Sequence, residues 1–119
     1  MIPSNLLGSS PGALPPAGTP NYFVSESQIA FAFEVRKFTA GINCGGGTLS
    51  GPTNVSQASY TLFPGRDVQQ PNTTNTLDSL GDRLMQKVQY RKVGSAESLW
   101  VVHTVQDSGF PEQLQWAEI

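Results

Sequence analysis

The sequence predicts an all-β protein of antiparallel strands that run as a meander. Two observations carry that prediction. Residues 28–37 alternate, with Ile29, Phe31, Phe33 and Val35 on one face and Ala30, Ala32, Glu34 and Arg36 on the other, the period of two of a half-buried strand. Only 13% of the residues are charged, while Gly (12) and Pro (9) are plentiful, a composition that supplies the turns of a β-protein.

A chain of 119 residues with 38% hydrophobic content makes at most one domain with a modest core. The formal net charge is −2 and the basic residues do not cluster, which argues against a nucleic-acid footprint or a polybasic membrane contact. No apolar run is long enough to span a bilayer as a helix. One cysteine, Cys44, precludes an internal disulfide. The N-terminus has no basic n-region and no long apolar stretch, so it does not read as a signal peptide; an export signal, if the parent protein has one, is expected outside this chain.

Residues 1–21 read as a linker, probed by Pro3, Pro11, Pro15, Pro16 and Pro20 among Gly and Ser, residues that oppose helix and ladder pairing. The expectation there is an extended or disordered segment, with structured sequence over residues 22–119. After the strand at 28–37, Gly41 to Gly47 predicts a flexible loop; its three consecutive glycines lack the Lys-Ser/Thr pair of a phosphate cradle. A weaker strand spans 53–63, where mixed parity admits a bulge, and Pro64-Gly65 closes it. Asn54-Val55-Ser56 and Asn72-Thr73-Thr74 match the glycosylation acceptor triplet, which occurs often by chance.

The stretch 77–105 organises the chain. Leu80, Leu84 and Val88 have helical spacing behind Ser79, a possible N-cap; Leu84, Val88 and Tyr90 equally share one strand parity, with a Gly94 turn beyond. Periodicity alone leaves the two readings tied. Residues 98–105 predict an interior strand apolar on both faces. Leu114 to Ile119 starts a further strand, with Leu114 and Trp116 on one face, and the chain stops inside it. It therefore reads as a fragment with an unpaired edge, expected to drive self-association together with the faces of Trp100 and Val102.

At Gly81, Asp82, Arg83, Leu84, Met85, Tyr90, Arg91, Glu97, Ser98, Leu99, His103, Thr104, Val105, Trp116 and Glu118 the chain resembles a group of large, uncharacterised, exported bacterial proteins. These look like multi-bladed β-propellers, distantly sialidase-like in architecture. Pro20-Asn21-Tyr22-Phe23 and the Phe33-Glu34-Val35 strand fit more loosely. Gln86, Val102 and Gln115 depart from the group's pattern, which weakens any site built on those strands. The resemblance favours strand over 83–92. It implies one nearly complete β-propeller-like blade plus part of another, neighbouring blades in a longer parent, and an extracellular or cell-surface location.

Chemistry is thinly written. A glycosidase needs two carboxylates flanking one bond; Asp78, Asp82, Glu97 and Glu118 are available, with Arg83, Arg91 and Tyr90 able to hold an anionic sugar. The structural reading is preferred: Arg91 and Glu97 can face each other across a hairpin, and the Ser/Thr-x-Asp-x-Gly-x-x-Trp/Phe hallmark of sialidase blades is not met. Cys44 and His103 could form a nucleophile–base pair, but a partly buried, hydrogen-bonded His103 is the preferred reading. One His and one Cys give no metal-ligand spacing, and no cofactor is implied. Trp100 and Trp116 could form a sugar-stacking platform, against the commoner reading of packing aromatics. The expected function is a non-catalytic segment of an extracellular β-propeller, structural or binding glycan or protein, with Arg83, Tyr90, Arg91, Glu97, Trp100 and Trp116 as candidate binding residues. The alternatives are part of a sialidase-like glycoside hydrolase completed by other blades, or a gene remnant.

Overall fold

The computed structural model describes residues 1–6, 14–27, 29–61, 68–81, 83–106 and 112–119. Asp82 and the turn expected at Pro64-Gly65 lie outside them. Nine strands are present among the described residues: β1 (Ile2–Asn5), β2 (Asn21–Glu26), β3 (Ala32–Ala40), β4 (Gly47–Ser56), β5 (Val68–Gln69), β6 (Thr76–Leu77), β7 (Val88–Val93), β8 (Ala96–Gln106) and β9 (Glu112–Glu118). The all-β class is as the composition and alternation predict. Seven strands form one sheet in the order β4-β3-β2-β1-β7-β8-β9, and β5 pairs with β6 separately.

Two meanders make the sheet, β2-β3-β4 and β7-β8-β9, with every neighbouring pair antiparallel. β1 joins them. Its first half pairs antiparallel with β2 (Ile2↔Val24, Pro3↔Phe23) and its second half parallel with β7 (Ser4↔Val88, Asn5↔Gln89). Two corrections follow. The sheet is mixed rather than purely antiparallel, and Ile2–Asn5, inside the stretch read as a linker, is a strand at the centre of the sheet. Pro3 is tolerated because the ladder to β7 begins only at Ser4, so the missing N–H falls outside that pairing. Ser4 is buried and fixes the entry: its hydroxyl donates to Asn21 Oδ1 at 3.1 Å and accepts from the Tyr22 N–H at 3.1 Å. Asn5 Oδ1 accepts from the Tyr90 N–H at 3.2 Å.

Local chemistry sets the other boundaries. β3 starts four residues later than the alternation predicts, because Phe31 takes a left-handed φ of 56° and its carbonyl accepts from the Gln57 N–H. Ile29 is accordingly exposed, while Phe33 and Val35 are buried. Between Val35↔Thr53 and Lys37↔Ser50 the register shifts, so that Gly51 and Pro52 stand opposite Arg36. That bulge requires glycine: Gly51 has φ +101°, and a Cβ there would lie 2.8 Å from the Val35 carbonyl oxygen. The helical reading of 79–88 yields to turns. Asp78 Oδ1 accepts from the Leu80 N–H at 3.0 Å, Ser79 Oγ accepts from the Gly81 N–H at 3.3 Å, and Leu80 has φ 52°. Short side-chain bonds of this kind compete with helix formation. Strand β7 then begins at Val88, and Leu84 contributes only an isolated bridge to His103.

The core shows that the sheet curls. Val24, Phe33 and Val35 from one meander cluster with Leu84, Val88, Tyr90, Leu99 and Val101 from the other side of β1. β3 and β8 lie four strand steps apart, roughly 19 Å in a flat sheet. Yet the rings of Phe33 and His103 meet with centroids 5.8 Å apart. The inner faces of the two meanders therefore close on each other around β1, leaving β4 and the outer face of β7-β8-β9 to solvent.

Candidate binding face on the outer sheet

The strand alternation of the second meander sorts its side chains. Gln89 stands opposite Trp100, Arg91 opposite Ser98 and Val93 opposite Ala96; on the other flank Trp100 stands opposite Glu118 and Val102 opposite Trp116. These residues share the outer face, while Tyr90, Leu99, Val101 and His103 point to the core. Trp116 is thus the diagonal neighbour of Trp100 across β8-β9. The two indoles stack, with centroids 5.2 Å apart and planes 21° from parallel. Trp100 is half-buried and Trp116 is 65% exposed.

Polar groups around the stack are held in place. Trp100 Nε1 donates to Ser98 Oγ at 3.0 Å, and Arg91 Nη2 donates to Gln89 Oε1 at 3.0 Å. Gln89, Arg91, Val93, Ser98, Trp100 and Glu118 line an open groove of about 450 Å³. A second groove of about 350 Å³ has Ser59, Tyr60, Gln106, Gln113, Gln115 and Trp116 among its lining residues and shares none with the first; Gln113 and Gln115 stand opposite Val105 and His103, on the core-side parity of β9. Both volumes fall in the range of small-molecule sites. Trp116 borders the second groove and stacks on a wall of the first.

The residues predicted from sequence do not form a single site. Arg91, Trp100 and Trp116 come together on the outer face. Tyr90 and Glu97 lie on the opposite face, where the Tyr90 hydroxyl donates to Glu97 Oε2 at 2.8 Å. Burial, reinforced by Glu97, pushes the Tyr90 phenol up to about 12. The residue across from Glu97 is Lys92, and Arg91 instead faces Ser98. Arg83 lines a separate groove with Met1, Ile2, Val24, Ser25, Glu26 and Leu84, sharing no lining residue with that of Arg91. Glu97 and Glu118 occupy opposite faces of the sheet, so this pair does not flank one bond. Among the described residues, no three His, Cys, Asp or Glu side chains are grouped to hold a metal, and no helix is long and apolar enough to cross a membrane.

One polar cluster escaped the sequence reading. His103, 1% exposed, has Nδ1 3.0 Å from Glu26 Oε1, a contact outside hydrogen-bond angles. Glu26 Oε2 accepts from the Tyr60 hydroxyl at 3.3 Å and from Gln57 Nε2 at 3.2 Å. Burial first, then Glu26, pushes the Tyr60 phenol up to about 12. The His103 ring meets Tyr60 and Phe33 edge to face at 4.9 and 5.8 Å. The backbone turn at 41–46 follows Ala40, seven strand residues beyond Phe33, roughly 23 Å along the chain. The parity of β8 marks His103 as core-facing, but its partner lies on β2, and no local pattern in the sequence announces that contact.

Comparison of the chain with protein-family models, curated proteins and solved structures finds no match.

Proposed function

We propose that this chain is a non-catalytic, glycan-binding segment of an extracellular, propeller-like β-protein, and that the outer face of β7-β8-β9 is its binding surface. The observation that carries the reading is the Trp100–Trp116 stack, presented to solvent with Arg91, Gln89, Ser98 and Glu118 beside Trp100. An indole that is 65% exposed leaves a large apolar plane in water. A pyranose offers an apolar face to such a plane and a rim of hydroxyls to the amide, guanidinium and carboxylate groups around it. The propeller-like part of the reading draws on strand direction: β1-β2-β3-β4 is a four-stranded antiparallel run and β7-β8-β9 a three-stranded one. The parallel β1–β7 seam is no part of that pattern. A sialidase-like site would need an arginine cluster, and Arg83 and Arg91 line separate grooves.

Both tryptophans of the chain stand in this site, so tryptophan fluorescence, excited apart from the tyrosines, reports on it alone. Screening on a glycan array, followed by fluorescence titration of the hits, is expected to give saturable binding. Trp116→Ala should weaken that binding by roughly tenfold or more, with unchanged far-UV circular dichroism. Absence of binding to every glycan, or wild-type affinity in Trp116→Ala, would overturn the reading.

A further inference from the structure

The charges of the first groove deepen that reading, and the following inference rests on it. We infer that the guest is a glycan carrying both an anionic group and a protonated amine, the first held by Arg91 and the second by Glu118 at opposite rims of the Trp100 ring.

Three features of the outer face lead there. First, the residues lining this groove all stand on the outward parity of the second meander, so one guest meets them together. Gln89, Trp100 and Glu118 lie abreast in one row, and Arg91 is the next outward residue of β7, opposite Ser98. Second, the protein answers neither charge. Arg91 donates to the neutral amide of Gln89, and neither Arg91 nor Glu118 forms an ion pair among the described residues. The strands that carry them lie two steps, roughly 10 Å, apart, with Trp100 between them. Third, covering the groove makes both charges count. Arg91 is already half-buried, and a sugar stacked on the indole strips water from the guanidinium and the carboxylate alike. A charge desolvated without a partner is costly, so a neutral guest leaves two such groups and a singly charged guest leaves one. A guest with both charges leaves none, and each of its two ionic contacts is a charge-assisted hydrogen bond.

Arg91→Gln and Glu118→Gln are the variants to make, because each removes one charge from the outer face and leaves no buried group unpaired. The full chain is screened against printed glycans of four kinds: neutral, carboxylate-bearing, amine-bearing and bearing both. The strongest series is then titrated at neutral pH against wild type, the two variants and Trp116→Ala. The expected result is tightest binding of the doubly charged members. Arg91→Gln should lose roughly three- to tenfold in affinity for members with a carboxylate, and Glu118→Gln as much for members with an amine, with no loss for neutral ones. Preference for neutral or singly charged glycans, or losses that ignore the charge of the guest, would each overturn the inference. If Trp116→Ala still weakens binding in those cases, the glycan-binding face itself stands. No binding to any printed glycan overturns both readings together.

Discussion

Tyr90 shows how one side chain ties pH to stability in this fold. Its ring is 1% exposed, and its hydroxyl donates to Glu97 at 2.8 Å. Burial and the nearby carboxylate raise its pKa from about 10 to about 12. The folded phenol thus keeps a proton that the unfolded phenol gives up between pH 10 and pH 12. The linked stabilisation is complete below pH 10 and falls as pH rises through that window. Tyr60, also pushed up to about 12 by burial and Glu26, acts in the same direction. Urea unfolding should therefore give steady stability from pH 8 to 10 and a decline by pH 11.5. Tyr90→Phe should lose about 1 kcal/mol at pH 8 and decline less steeply above pH 10. A wild-type curve that stays level to pH 11.5 would contradict this account. At this scale the sequence was legible within each strand but not between strands. Parity set Tyr90 apart from Arg91 and Leu99 apart from Trp100; what it lacked was register, so Arg91 was matched with Glu97 when the two-residue Gly94-Ser95 hairpin sets it against Ser98. Glu26 beside His103 was out of reach, because only the closure of two distant strands brings them together.

Among the elements, β1 departs most from what the sequence suggests. Four residues are too few for periodicity to register, and Pro3 argues against pairing. The strand exists because its neighbours supply what local propensity does not: Ser4 and Asn5 satisfy backbone N–H groups of Tyr22 and Tyr90 on either side. By contrast β3 and β8 announce themselves through alternation, and the β7-β8-β9 meander follows from three apolar runs separated by turn residues. Because β1 alone links the two meanders in the sheet, its polar side chains act as the clasp. Ser4→Ala leaves the Tyr22 N–H without its partner in a part-buried position and should cost about 1–2 kcal/mol in urea unfolding. Pro3→Ala, at an exposed position, should stay within about 0.5 kcal/mol of wild type. Equal effects from the two substitutions would remove β1 from this role.

For the molecule as a whole, shape and surface point to association through a sheet edge. The radius of gyration is 17.0 Å and the extents are 55 × 31 × 25 Å, against about 13–14 Å for a compact chain of this length. The accessible surface is 7983 Å², where about 6,300 Å² is usual for this mass. The edge strand β4 is open: its ten residues are exposed except for a half-buried Val55 and include no charge. The opposite edge, β9, carries Glu112 and Glu118, charges that discourage pairing with another strand. An uncharged ten-residue edge has no such guard, although the bulge at Gly51-Pro52 interrupts its ladder. Self-association through β4 should therefore grow as the pH approaches the isoelectric point near 5.2, where net repulsion vanishes. Sedimentation velocity over a hundredfold range of concentration should show this at pH 5.5 and less of it at pH 8. Thr53→Lys, at an exposed position of β4, should hold the chain monomeric at both. If Thr53→Lys associates like wild type while Leu114→Lys does not, the contact lies on the outer face of β7-β8-β9 instead. A second copy would then compete with glycan for Trp116, and added oligosaccharide would dissociate the complex.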